Sequence, residues 1–237
     1  MRKDFFIFGN IRSCDFGIGI YGDALFDAPE RDCKSISVPG RNGNIIIDNG
    51  NYKNTTLKYK SYIIKNVAVN LDGFRKNLLL QSSSYYRLED TVKTEEFRMA
   101  RALPFTADIT GILKAGKFTV SFDCKPQRFL KIGEIPISII SGMMIFNNYG
   151  ETALPLIRVY GDGELTVGNI SLIVENSDVY TDIDSELQEC YKDTLSNSKN
   201  GNVTLNDDLF PELKAGATEI TYTGFSKVEI TPRWWIT

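Results

Sequence analysis

The sequence predicts a mainly β protein of two domains with one main helix. Three observations lead there. Short apolar runs recur along the chain, bounded by Gly, Pro, Asn or Asp, as in sandwiches and barrels rather than in βαβ repeats. A clear helical period occurs only once. The organisation changes near Pro126–Gly133, where a second set of strands begins. The expected domains are 1–128 and 129–237, and about a hundred residues is an ordinary size for the second.

In chain order, the strands expected in the first domain are Phe5–Phe8, Ser35–Val38, Ile45–Ile47, Leu57–Ile64 and Phe118–Asp123. The last alternates cleanly: Phe118, Val120 and Phe122 share one face, while Lys117, Thr119, Ser121 and Asp123 share the other. The main helix is read from Leu71, Phe74 and Leu78 at i, i+3 and i+7, with Asn70 as its cap. A shorter helix is expected over Thr94–Ala102, ahead of Pro104. The second domain should carry strands at Ile135–Ile140, Ile157–Tyr160, Leu165–Val167, Ser171–Val174, Glu219–Tyr222 and Lys227–Ile230. A third helical turn is expected around Leu187–Tyr191, and Asp193–Asn202 reads as an exposed loop.

The stretch Val38–Gly50, VPGRNGNIIIDNG, has the glycines and the arginine of a phosphate loop but not the spacing. A Walker loop needs G-x-x-x-x-G-K-[ST], and a dinucleotide loop must open a helix. Here Gly40-Arg41-Asn42-Gly43 runs into Ile45-Ile46-Ile47, a β-branched run that favours a strand. Asn42-Gly43 and Asn49-Gly50 are turn dipeptides. The segment therefore reads as strand, turn, strand, turn, with Arg41 needing a partner.

Composition narrows the chemistry. The net charge of −3 gives no basic excess for a sequence-independent grip on nucleic acid. No apolar window approaches a membrane span, and the N-terminus shows no signal-peptide h-region, so no membrane insertion is expected. The chain has no histidine, which removes the commonest general base and metal ligand. Cys14, Cys33, Cys124 and Cys190 form no C-x-x-C and read as free, mostly buried thiols. The carboxylate clusters Glu89-Asp90, Asp182/Asp184/Glu186 and Asp207-Asp208 read as surface charge. No catalytic, cofactor or metal residues are therefore expected. Arg233, Trp234 and Trp235 near the C-terminal end stand out: adjacent tryptophans on a strand point to opposite faces. The outward one would stack on a sugar or base, meet another subunit, or lie under the protein's own loops.

In order along the chain, several segments resemble bacteriophage distal tail proteins, the hub proteins at the tip of long tails. FFIFGNIRSCDFGIGI resembles the family's opening strand and turn. Ala28–Arg31, Pro39–Gly43 and Asn49–Tyr52 are similar to its Ala-Pro-Glu-Arg, Pro-Gly-Arg-Asn-Gly and Asp-Gly-x-Tyr elements, with Asn for the usual Asp in the last. YYRLED, FTVSFDCKPQRFL, DIDSELQECY, FPELKAGATEI and TPRWW resemble later elements of the family.

The resemblance implies an N-terminal β-rich, ring-forming domain and a C-terminal galectin-like β-sandwich, with no enzymatic activity. It implies a homo-oligomer, six-fold, at the tip of the virion tail, made and assembled in the bacterial cytoplasm. The implied partners are the tail tube protein and the tail-tip hub or tail-associated lysin. Receptor-binding or baseplate proteins and the tape-measure protein are further implied partners, with DNA passing the channel without specific binding. The subunit interface is expected on the N-terminal domain, around Pro39, Gly40, Arg41, Asn42 and Gly43 and the helix residues Leu71, Phe74 and Leu78. Arg233, Trp234 and Trp235 are expected to pack or make contacts in the C-terminal domain. The competing expectation is a carbohydrate-binding module that adheres to the host wall.

Overall fold

The computed structural model describes residues 4–22, 28–64, 66–110, 115–139 and 142–237, the side chains of 108–110 excepted. The described chain is mostly strand, with one α-helix and a few short 3-10 turns. It divides into two compact units, Met1–Arg128 with Thr237, and Phe129–Ile236. The division falls within the long strand Ala115–Leu130. Ile140, the last residue of an expected strand, lies outside the described residues.

The first unit is built on an antiparallel sheet. Its path runs Ile11–Arg12, Phe6–Phe8, Tyr86–Asp90, Glu96–Ala102, Ala115–Leu130, Thr55–Ile63, Ile18–Ile20. Ala107–Thr110 adds a short strand against the start of Ala115–Leu130. The path curls on itself, because Asp4 bridges Ile20 and the Ile20 N–H donates to the Asp4 carbonyl at 2.8 Å. Inward positions carry the core. Phe118, Val120 and Phe122 are all buried, as alternation requires, together with Phe6, Phe8, Ile18 and Ile63.

The helix Val67–Leu80 lays one stripe into this core: Val67, Leu71, Phe74 and Leu78, at i, i+4, i+7 and i+11. Phe74 meets the rings of Phe6, Phe16 and Phe105. The expected cap is corrected. Asn70 sits inside the helix, which starts one turn earlier after Asn66, a left-handed residue at φ 49° whose side chain makes no capping bond. The short helix expected over Thr94–Ala102 is also corrected. Glu96–Ala102 is a strand with Ala100 and Ala102 facing the core, so pairing in the sheet overrides the helix propensity of Glu, Met and Ala.

The second unit is a sandwich of two antiparallel sheets. One runs Ile137–Ile139, Lys227–Thr231, Leu156–Tyr160, Tyr180–Asp184, Glu189–Lys192, Thr194–Ser198. The other runs Met143–Asn148, Gly216–Thr223, Gly163–Val167, Ile170–Val174, Val203–Leu205. Ile157, Val159, Ile183 and Val228 from the first meet Leu165, Val167, Leu172 and Ile220 from the second in one core. The helical turn expected at Leu187–Tyr191 is corrected to a hairpin. Asp184 Oδ1 accepts the N–H groups of Glu186 and Leu187, and Gln188 turns the chain at φ 55° into the strand Glu189–Lys192. Within Asp193–Asn202, the residues Thr194–Ser198 are exposed but form an edge strand rather than a loop.

Candidate interaction surfaces

Outside the curled sheet stands a separate two-stranded hairpin, Arg31–Ile36 paired with Ile45–Tyr52. None of its strand residues is buried. Its turn is not built on Asn42-Gly43, since Asn42 does not take the positive φ that a type I′ turn demands of both residues. The tight turn is one step earlier. Pro39 and Gly40 occupy the central positions, Gly40 has φ 79°, and the Arg41 N–H donates to the Val38 carbonyl at 3.1 Å, which is type II chemistry. Gly43 is also left-handed at φ 79° and re-aims the chain into the second strand. The Asn49-Gly50 turn is corrected to a bulge. Both residues lie inside Ile45–Tyr52, where Arg31 pairs with Tyr52 and Cys33 with Asp48, leaving extra residues on the second strand.

Polar bonds hold the hairpin together. Arg31 Nε donates to both Asp48 carboxylate oxygens at 3.1 and 2.9 Å, and the guanidinium lies over the Tyr52 ring at 4.7 Å. The Gly50 N–H and then Arg31 hold the Asp48 carboxyl below its ordinary pKa. Lys53 and Glu30 close the base with an ion pair at 3.0 Å. What the hairpin lacks is apolar cover. Ile45, Ile46 and Ile47 are 37%, 61% and 46% exposed, and successive residues point to opposite faces, so both faces show isoleucine. Arg41 is exposed, and among the described residues its side chain has no hydrogen-bond or ion-pair partner. Leu71, Phe74 and Leu78, expected near the same interface, are instead buried in their own unit.

The C-terminal residues turn inward. Arg233 sits at φ 55°, an unfavourable region for a long side chain, and is clamped there. Its guanidinium donates to Asp184 at 2.7 and 2.8 Å, and its N–H donates to the Gly133 carbonyl at 2.8 Å. Burial raises the Asp184 carboxyl pKa, but Arg233, the Leu187 N–H and Tyr191 together bring it below the ordinary value. Trp234 packs near Phe146, and Trp235 Nε1 donates to the Thr152 carbonyl at 2.9 Å. Neither tryptophan stands free, because both pack on the core of their own unit. A Cβ on Gly150 would lie 2.1 Å from the Trp235 carbonyl, so glycine there admits the chain. The carboxylates read as surface charge are likewise corrected in part: Asp182 and Asp184 are buried, Asp182 against Arg158.

At the level of sequence, no family model and no curated protein matches the chain. Solved structures do match. The chain is similar to SPP1 Dit (gp 19.1), described as a paradigm of the hub adsorption apparatus of phages infecting Gram-positive bacteria. The TM-score is 0.72 at 14% identity, over 97% of this chain and 98% of that one. It is also similar to a chain of the phage P2 baseplate in its activated conformation, with Ca at a TM-score of 0.54 and with Sr at 0.52. Both of those matches have 10% identity and cover 97% of each chain.

This is the fold of a phage distal tail protein. Within the distal tail fold of this chain, sequence reasoning missed two features. One is the Asp184–Arg233 clamp, because the residues are 49 apart and carboxylates are usually solvated. The other is the outer face of the six-stranded sheet, where Tyr160 and Tyr180 lie 5.8 Å apart. Arg158 covers Tyr180 at 4.2 Å and Lys227 lies over Tyr160 at 5.5 Å, so cations already sit on the ring faces a sugar would use. The alternation of Tyr160 and Tyr180 with buried Val159 and Thr181 was the available signal.

Proposed function

We propose that this protein is a ring-forming structural component of a phage tail tip, six copies joining the tail tube to the baseplate or adhesion apparatus. The observation that carries the reading is the hairpin Arg31–Tyr52, whose strands have no buried residue and whose isoleucines face outward on both sides. An isolated two-stranded hairpin is marginal in water, and exposed apolar edges invite a partner strand or surface. An arm on one side of a subunit that grips a different surface on the next is a head-to-tail interface, and such interfaces close into rings. Arg41, at the tip of the arm, is the residue placed to fix that contact. The first unit forms the ring, and the second is a galectin-like sandwich.

In this reading the protein works by assembly and not by turnover. Its partners are further copies of itself, the tube protein, the tail-tip hub or lysin, and baseplate or receptor-binding proteins, with the tape measure ending nearby. The net charge of −3 per chain lets DNA pass without adhering. A glycan-binding role for the second unit gains nothing from the cation-covered tyrosines. Native mass measurement over a concentration series, followed by imaging with the tube protein, tests the proposal. Closed rings are the expected result. A chain that stays monomeric throughout and never joins a tube end overturns it.

A further inference from the structure

The inward positions of three strands in the first unit break the apolar pattern of its core. They carry Tyr59, Asp90 and Arg98. These residues line a cavity of about 220 Å³ that also takes in Ile20, Leu57 and Leu88. Asp90 is fully engaged: Tyr59 donates to its Oδ2 at 2.7 Å, and the N–H groups of Val92 and Lys93 donate to its Oδ1 at 2.8 and 2.6 Å. Glu96, at the same cavity, is engaged by Arg128 and Lys93, and Glu89 by Arg87. Arg98 is different. It is 5% exposed, and its side-chain bond is a single one, to the neutral Thr55 hydroxyl at 3.2 Å. Among the described residues it has no ion-pair partner.

An arginine cannot shed its charge, and its guanidinium carries five donors in a planar fork that matches a carboxylate. Burying it against one neutral acceptor is unfavourable unless something else completes it. We infer that this cavity is a binding site for a single carboxylate group on a short apolar stem, held by Arg98. The volume lies below the roughly 300 Å³ at which drug-sized pockets begin, which suits a small group. Ile20, Leu57 and Leu88 supply the apolar wall for the stem. The lining balances the carboxylates of Asp4, Glu89, Asp90 and Glu96 against Lys58, Lys60, Lys93 and Arg98, which leaves little net attraction for a doubly charged phosphate or sulfate. The carboxylate comes either from a free short-chain acid or from an Asp or Glu side chain of a second copy. The inference does not depend on the ring.

The test is thermal melting of the full chain in chloride, sulfate and propionate at matched ionic strength, for the wild type and Arg98→Met. Propionate is expected to raise the wild-type midpoint by about 2–4 °C over chloride, with sulfate giving no such rise. Arg98→Met is expected to lose the propionate effect and, in chloride, to melt no lower than the wild type, because it removes an uncompensated buried charge. If Arg98→Met does not fold, saturation transfer from wild-type protein to the propionate methyl takes its place, with transfer expected and its absence overturning the inference. Sedimentation separates the two sources of the carboxylate. Propionate that dissociates a self-associated form identifies a second copy's side chain, and propionate that binds without changing mass identifies a free acid. A wild-type midpoint in propionate equal to that in chloride, or a propionate rise retained in Arg98→Met, overturns the inference.

Discussion

The Asp184–Arg233 pair fixes two awkward things at once, a nearly buried carboxylate and an arginine in left-handed backbone. Asp184→Asn keeps the size but removes the charge that Arg233 faces. It is expected to destabilise the second unit by about 2–3 kcal/mol, below the full cost of breaking a buried pair because Arg233 keeps some solvent. Denaturant melts of the two proteins check this. The same pair sets a pH dependence. The folded pKa of Asp184 is depressed, so its contribution is complete above the ordinary carboxylate value of about 3.9 and is lost as pH falls through the lower folded value. The stability gap between wild type and Asp184→Asn should therefore be constant from neutral pH to about 5 and shrink in acid. A gap that grows on acidification contradicts the assignment. The thiols follow burial too. All four cysteines are free, and burial pushes the Cys190 thiol up to about 12. Native alkylation near pH 8 should label Cys33 first and leave Cys124 and Cys190 unmodified until the chain unfolds, which intact-mass analysis reads directly.

Among the elements, the hairpin Arg31–Tyr52 is stabilised locally rather than by a core. Gly40→Ala puts a Cβ at φ 79° in open space, so it meets strain without a clash. The cost is about 1–2 kcal/mol, confined to the hairpin. Hydrogen exchange of amides 31–52 should quicken while the global melt stays put. A global shift of the full amount would mean that the hairpin folds as one with the sheet. The elements also show what a sequence reveals. Phe118, Val120 and Phe122 were legible because a half-buried strand writes its two faces into alternate residues. The helix stripe was legible for the matching reason at a period of 3.6. Glu96–Ala102 was not: Glu, Met, Ala and Arg favour helix, and only pairing in the sheet explains why Arg98, Ala100 and Ala102 share a face. The hairpin at Asp184–Gln188 was hidden similarly, since Asp184 bonds forward to make a turn where a helix cap was the simpler reading. Asn42-Gly43 promised a turn in the right place, but Pro39-Gly40 makes the tighter one, because proline pre-sets the first central position of type II.

For the whole molecule, the curled sheet and the sandwich each bury a core of their own, and the strands of the hairpin bury no residue. Ile46, the most exposed of its isoleucines, is the natural place to test the ring. Covering one isoleucine is worth about 1.5–3 kcal/mol, and each 1.4 kcal/mol is about tenfold in affinity. Ile46→Lys should weaken self-association at least tenfold and leave the monomer's stability nearly unchanged, as sedimentation and melting together will show. The chain also carries no group poised to titrate in the neutral range through histidine, so association should vary little between pH 6 and 8 unless the contact brings carboxylates together.

The type II turn has a practical consequence. Arg41 follows the glycine of that turn, exposed, on the most prominent loop of the hairpin, and trypsin cuts after arginine at such loop tips. A free subunit should be nicked there before the sheet or the sandwich is touched. The two pieces would stay together until denatured. If the arm is held by a neighbour, the same bond becomes inaccessible. The rate at which one cleavage product accumulates would then count unassembled subunits, in a mixture where rings, open arcs and monomers all have the same composition.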